Sequence, residues 1–269
     1  MLRGYVTLIG SVLVIALVFR GLERFAPAER GQPLSAWLFN LAYTPCVLLF
    51  IILLGVVFGP AYSRVSAYTG GGLFPEFAGE GSGAAAHVLF ALVYFLVWDI
   101  CQYALHRLQH TLPVLWETHK FHHSETALNS STQAKVHALS YTLALVFHLP
   151  VIVLFGPRTP HFVAAFLMFR LWGFFNHMNV RVGLGPLTPL VSGPQWHRLH
   201  HSVSEEHHDK NFATFFPFID LLFGTYRRPA AGEYPPTGLA GEPPGRLHAA
   251  TVAPLRAWYE MARRRRDEV

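Results

Sequence analysis

The sequence predicts an all-α integral membrane protein with four to five transmembrane helices. Composition comes first: 52% of the 269 residues are hydrophobic and 14% are charged, against about 25% charged in a soluble domain. Mean hydropathy is +0.30. The second observation is charge-free length. No Asp, Glu, Lys or Arg occurs between Arg30 and Arg64, between Glu80 and Asp99, or between Lys135 and Arg158. Crossing about 30 Å of hydrocarbon takes roughly 20 apolar residues. The third is charge asymmetry. With segments 20–35, 105–138 and everything after 177 on one side, that side holds 17 of the 21 Lys and Arg residues. By the positive-inside rule this side is cytoplasmic and the N-terminus faces away.

Five candidate spans follow, at 4–19, 36–59, 84–104, 139–156 and 160–176. The first is short enough to be a signal-peptide core, with "APA" at 26–28 as cleavage site. Arg20, Glu23 and Arg24 intervene, so it reads as a retained helix. "GPRTP" joins the fourth and fifth spans, which read as full crossings or as a tight hairpin. Residues 1–30 form an N-terminal helix and loop, 31–228 the main membrane-embedded domain, and 229–269 a flexible Pro/Gly-rich connector and basic tail. The end, "LRAWYEMARRRR", reads equally as an amphipathic helix on the membrane surface or as a solvated tail. Cys46 and Cys101 lie in apolar spans with no C-x-x-C, so they are buried thiols. No basic patch interleaved with aromatics points to nucleic acid.

Sixteen histidines carry the chemistry. "HRLQH" places His106 and His110 one helical turn apart, just after the third span. "HKFHH" and "HRLHH" repeat H-x-x-H-H as His119, His122, His123 and His197, His200, His201. Positions i, i+3 and i+4 share a helix face, but the last two diverge by about 100°, which suits two neighbouring metals. Zinc takes four ligands, so eight or more imidazoles imply two ions, and imidazole suits Fe, Zn, Cu and Ni. His177, in "FFNHMN" at the end of the fifth span, is a ninth candidate. Asp99, Tyr103, His106 and His110 fall on one face, making Asp99 an expected acceptor for a ligand imidazole N–H. Asn211 is a candidate oxygen donor to metal or water. His207 and His208 read equally as solvent-facing or functional. His87, His148 and His161 read as structural, and His248 has no role.

The ordered pattern H-x3-H, H-x2-H-H, H-x2-H-H, with the flanks "WDICQYALHRLQH", "FFNHMNVR" and "DKNFATFFPFIDLLFGTY", resembles the fatty acid hydroxylase/sterol desaturase superfamily over about residues 90–228. The resemblance implies a few transmembrane helices beneath a cytosolic helical cap holding a dinuclear site. It implies two iron ions, which reduce O2 with two external electrons and generate an oxidant that takes hydrogen from an unactivated C–H bond. The nine histidines are then the metal ligands, with no separate catalytic residue. Zinc is the expected substitute in purified protein. Hydroxylation or desaturation of a membrane lipid follows, in the inner membrane of a bacterium. One stretch departs from the family: an R-x-H-P-x-E-like segment here reads "KVHALS", with Ser140 in the acidic position. His137 reads equally as support for a ligand or as a cap of the fourth span. No H-P-G-G heme motif or Gly-rich dinucleotide fingerprint occurs, so electrons come from a separate ferredoxin or cytochrome b5-type protein. The rival readings are a membrane zinc hydrolase, disfavoured by the absence of H-E-x-x-H, and a non-catalytic heme or metal carrier, disfavoured because the histidines cluster at one boundary.

Overall fold

The computed structural model describes residues 2–74, 83–156, 159–241 and 247–267. Among them there is no strand, only one antiparallel bridge between Ser202 and Thr237. The elements are α1 (Leu2–Glu23), α2 (Leu34–Tyr68), α3 (Ala84–Thr111), α4 (Pro113–His123), α5 (Ala138–Phe147), α6 (Leu149–Phe155), α7 (Thr159–Asn176), α8 (Pro194–His200), α9 (Phe218–Leu222) and α10 (Ala253–Asp267). Among the described residues, three helical segments are long and apolar enough to cross a membrane: α2, α3, and α5 with α6 as one stretch. They correspond to the second, third and fourth predicted spans. The first and fifth predicted spans are helical too, as α1 and α7. Glu76, Glu80 and Arg158, which enter the charge pattern, lie outside the described residues, as do the side chains of Arg3 and His161.

Sequence explains where these helices stop and bend. α5 gives way to α6 at His148, because Pro150 has no N–H to continue the ladder. The His148 ring packs 4.3 Å from Trp98, a structural role as expected. Between α3 and α4, Leu112 is extended (φ −104, ψ 113) because Pro113 follows it. Pro113 then starts α4. That one-residue break folds α4 back against the end of α3 and turns the first histidine pair toward the second cluster.

An aromatic core holds the membrane helices together. Phe90, Tyr94 and Trp98 of α3 pack with Val151 and Phe155 of α6 and Phe169 of α7. Leu49, Leu53, Val56 and Val57 of α2 stay about half exposed or more, an apolar face suited to lipid. Cys46 lies exposed on α2 as well, against the burial expected of it, whereas Cys101 of α3 is buried as expected. A short 3-10 turn, Ser130–Ala134, wedges between α2 and α7. It fits because a Cβ on Gly173 of α7 would collide with the Gln133 side chain.

The first part of the expected connector carries hydrogen bonds to the helices before it. Residues 229–241 are strapped across the helices that carry the histidines. Arg198 Nε donates to the Pro235 carbonyl (2.9 Å) and Val203 N to the Pro236 carbonyl (3.1 Å). Gly238 N donates to the His201 carbonyl (3.2 Å). Gly238 sits at φ +115, where a Cβ would press on Thr126. Proline and glycine here set an irregular path over the site. The C-terminal stretch is helical, and Trp258 Nε1 of α10 donates to the Val114 carbonyl (2.7 Å) at the start of α4.

Candidate metal centre

Four pieces of chain converge. The last two turns of α3 bring His106 and His110, and α4 brings His119, His122 and His123. His177 follows α7 directly, while α8 and its C-cap bring His197, His200 and His201. All nine predicted histidines meet, in two groups whose ring nitrogens lie within 4.8 Å of one another. One group is His106, His110, His119, His123 and His200; the other is His122, His177, His197 and His201. The division crosses between the two H-x-x-H-H clusters. In α4 the i and i+4 imidazoles join the first group and i+3 the second. In α8 the assignment is reversed.

The nitrogens stand at the spacing of ligands around one ion. Nε2 of His123 is 3.1 Å from Nε2 of both His110 and His119. Nε2 of His177 is 3.1 Å from Nε2 of both His122 and His197. Two nitrogens about 2.0–2.1 Å from one ion, at right-angle to tetrahedral separation, stand about 2.8–3.4 Å apart.

Tautomers decide whether these contacts are hydrogen bonds instead. His122 donates Nδ1–H to the Lys135 carbonyl (3.1 Å), and His177 donates Nδ1–H to the Gly173 carbonyl (2.6 Å). Each neutral ring therefore has a bare Nε2 lone pair, and the two lone pairs face each other. His106 likewise donates Nδ1–H to the Phe212 carbonyl (2.7 Å) and His200 to the Lys210 carbonyl (2.8 Å). The Nε2 atoms of His106, His200 and His201 are buried without a hydrogen-bond partner. A proton could bridge such pairs, but burial opposes it. Burial, reinforced by neighbouring imidazoles, holds His119, His122, His123, His197, His200 and His201 well below the usual histidine range. Burial alone pushes His177 down to about 4. Neutral, converging, unpartnered imidazoles fit divalent metal ions, with backbone carbonyls fixing the outer nitrogens.

The residues expected to support the ligands behave differently. Asp99 accepts the backbone N–H groups of Thr214 (2.9 Å), Phe215 (3.0 Å) and Phe216 (2.7 Å), and none of the described hydrogen bonds joins it to a histidine. The side-chain oxygen of Asn211 accepts the Arg227 N–H (2.8 Å), and its Nδ2 donates to the carbonyls of Trp196 and Arg227. Both residues act one step back. With Asp220, which accepts the N–H groups of Phe212 and Ala213, they clamp loop 209–216. That loop presents the Lys210 and Phe212 carbonyls to the histidines. Its backbone is left-handed at Asp209 (φ 56) and Asn211 (φ 65), a conformation that needs such anchoring. His137 caps α5, accepting the Leu139 N–H at Nδ1 (3.1 Å) and facing the Thr251 carbonyl with Nε2 (3.2 Å). Ser140 donates to the Thr118 carbonyl (2.8 Å) and accepts from Gln109 Nε2 (3.0 Å), pinning α4 to α3 and α5. His207 is buried against Glu233 (3.2 Å) in the strap, and His208 is exposed.

Sequence reasoning missed a set of charges behind the imidazoles, all buried except Glu29. Glu23, at the end of α1, accepts the N–H groups of Ser130 (2.6 Å) and Asn179 (3.1 Å). Glu29 pairs with Arg198 (3.1 Å), between His197 and His200 in α8. Glu125 pairs with Lys135 (3.2 Å), both under 3% exposed, and Lys135 supplies the carbonyl that holds His122. Beside the first group lies a cavity of about 280 Å³, floored by His110, His123 and His200.

The family model for fatty acid hydroxylase matches residues 91–225. Human alkylglycerol monooxygenase is 35% identical over 133 residues, 49% of this chain and 29% of the relative. An ornithine lipid hydroxylase of Rhizobium tropici is 28% identical over 52% of this chain and 42% of its own. A very-long-chain aldehyde decarbonylase of rice is 30% identical over 76% of this chain and 69% of its own. The chain thus spans less than a third of the alkylglycerol monooxygenase. No solved structure matches.

Proposed function

From the premise that this chain belongs to the fatty acid hydroxylase family, within the fatty acid hydroxylase/sterol desaturase superfamily, we propose that it is a di-iron monooxygenase that hydroxylates a membrane lipid. The overall reaction is R–H + O2 + 2 e⁻ + 2 H⁺ → R–OH + H2O, with the electrons delivered by a separate ferredoxin or cytochrome b5-type protein. The metals are held by His106, His110, His119, His123 and His200 on one side and by His122, His177, His197 and His201 on the other. The observation that carries this reading is the pair of bare Nε2 lone pairs on His122 and His177, 3.1 Å apart and kept proton-free by burial.

An iron pair held by these imidazoles would supply the oxidising power by activating O2. The chain's own residues orient and insulate. The carbonyls of Lys135, Gly173, Lys210 and Phe212 hold four imidazoles in the tautomer that leaves Nε2 free. An all-imidazole shell adds no negative charge, unlike a carboxylate-rich one, and so favours a strongly oxidising centre. The site sits in a cap on the cytoplasmic face, over four to five membrane spans. The names of the relatives, which act on alkylglycerols, ornithine lipids and methylsterols, point to an amphiphilic lipid substrate. Hydrolysis by zinc is the weaker reading, because nine convergent imidazoles exceed the three ligands and water that it needs. Isotopic oxygen tests the choice. Membranes given an electron donor, lipids and ¹⁸O2 should yield labelled alcohol. Unlabelled alkene with O2 consumed would mean desaturation. A lipid changed without O2 uptake, or labelled only from water, would restore the hydrolase.

A further inference from the structure

The proposed chemistry makes no use of α10, yet this helix is firmly rooted. Ala250, just before it, is buried with Tyr43 and Val47 of α2 and Phe121 of α4. His137 Nε2 faces the Thr251 carbonyl (3.2 Å). Farther along, Trp258 Nε1 donates to the carbonyl of Val114, which closely follows the end of α3. Both α2 and α3 are long and apolar enough to cross a membrane. Two successive spans run in opposite directions, so the start of the first and the end of the second share one side. Ala250 meets the N-terminal half of α2, and Val114 follows the last turn of α3. Helix α10 is thus fastened to the same-side ends of two spans.

Its two faces differ. Pro254, Ala257, Trp258 and Met261, at i, i+3, i+4 and i+7, are buried or half-buried. The opposite face carries Leu255, Tyr259, Arg263 and Arg266, all exposed, with Leu255 and Tyr259 more than half so. Five arginines of α10 stand against only Glu260 and Asp267. Glu260 pairs with Arg256 (2.9 Å), and Asp267 lies 3.9 Å from Arg263. Among the described residues, no carboxylate pairs with Arg264 or Arg266.

We propose that the exposed face of α10 docks on anionic lipid headgroups, with Arg263, Arg264 and Arg266 on the phosphates and Leu255 and Tyr259 among the headgroups. Arginines and exposed apolar side chains on one helix suit the boundary between charged heads and acyl chains, and the surplus of positive charge matches a negatively charged leaflet. A solvated tail has no use for the leucine and tyrosine, and fastening to two span ends holds α10 beside the bilayer. Docked there, α10 ties α4, which carries His119, His122 and His123, to the charged surface of the membrane. The assignment does not depend on the reaction catalysed.

Two lipids with photoreactive headgroups test it, a phosphatidylglycerol and a phosphatidylcholine. Each is added in equal trace amount to nanodiscs that hold the full-length, metal-loaded protein in a mixture of the two parent lipids. After irradiation the adducts are mapped by mass spectrometry. The phosphatidylglycerol probe should label α10 at least about fivefold more than the phosphatidylcholine probe, the gain from a single arginine near an anionic surface. The excess should shrink with added salt. Arg263→Gln, Arg264→Gln and Arg266→Gln together should abolish it while metal content and Tm stay at the parent level. If that variant loses metal, Leu255→Ala with Tyr259→Ala takes its place and should reduce the label, and the two-probe comparison in the parent stands by itself. Equal labelling by the two probes, no label on α10, or an undiminished excess in a metal-replete variant would overturn the proposal. Protection of α10 from hydrogen exchange that appears only when an acidic protein is added would also overturn it, and would make this face a protein-docking surface.

Discussion

Each H-x-x-H-H cluster lends its i and i+4 imidazoles to one nitrogen group and its i+3 imidazole to the other. Removing one histidine from the five-membered group leaves four, but removing one from the four-membered group leaves three. His201→Ala should therefore cost more bound metal than His119→Ala, measured by elemental analysis of purified protein; equal losses would count against the division. A second expectation concerns pH. Burial sets His177 at about 4 against the usual 6.5, so below pH 6.5 the unfolded chain takes up this proton more readily than the folded one. Stability of the metal-free protein is then full above pH 6.5 and falls as pH drops toward 4. A Tm in detergent that stays flat across that window would contradict it. The Glu125–Lys135 pair yields a third. Lys135→Met strands a buried carboxylate and should cost about 3–5 kcal/mol, while Glu125→Gln with Lys135→Met should cost less than the sum of the single changes, as read by denaturant unfolding. Eight of the nine histidines were legible because i, i+3 or i+4 spacing is written in the sequence, and His177 because it ends the fifth predicted span. The roles of Asp99 and Asn211 were not. Nothing local to Asp99 tells that amides 115 to 117 residues downstream claim its oxygens.

Two elements prove to be parts of the site's frame. The N-terminal arm reads in sequence as a membrane helix and loop, yet Glu23 and Glu29 reach Ser130, Asn179 and Arg198 behind the imidazoles. Such contacts carry no periodicity and cross up to 169 residues, so they leave no trace in local pattern. Glu23→Ala would leave two buried amides unpaired, at about 1–3 kcal/mol each. It should lower Tm and reduce metal in the group containing His177, since Asn179 lies two residues away. An unchanged Tm and metal content would refute that role. The strap at 229–241 shows what composition leaves out: proline and glycine mark irregular backbone but do not tell that Arg198, Val203 and His201 hydrogen-bond to it. The helices themselves followed their signals, with apolar runs giving α2, α3 and α5–α6 and prolines marking the breaks.

At the scale of the molecule, three helical segments among the described residues are long and apolar enough to cross a membrane. The charge asymmetry predicts that reporters fused after Arg30, Glu76 and Val269 report inside, outside and inside; an outside C-terminus would reverse the orientation and remove the cytosolic electron donor. The central claim is that nine imidazoles make two adjacent metal sites that serve one oxidation. Metal content of purified, catalytically active protein tests it most directly. Two iron ions per chain are expected, both lost together with activity on chelation and both restored by iron(II). One metal ion or none per chain, in protein that still oxidises lipid, would contradict the dinuclear centre.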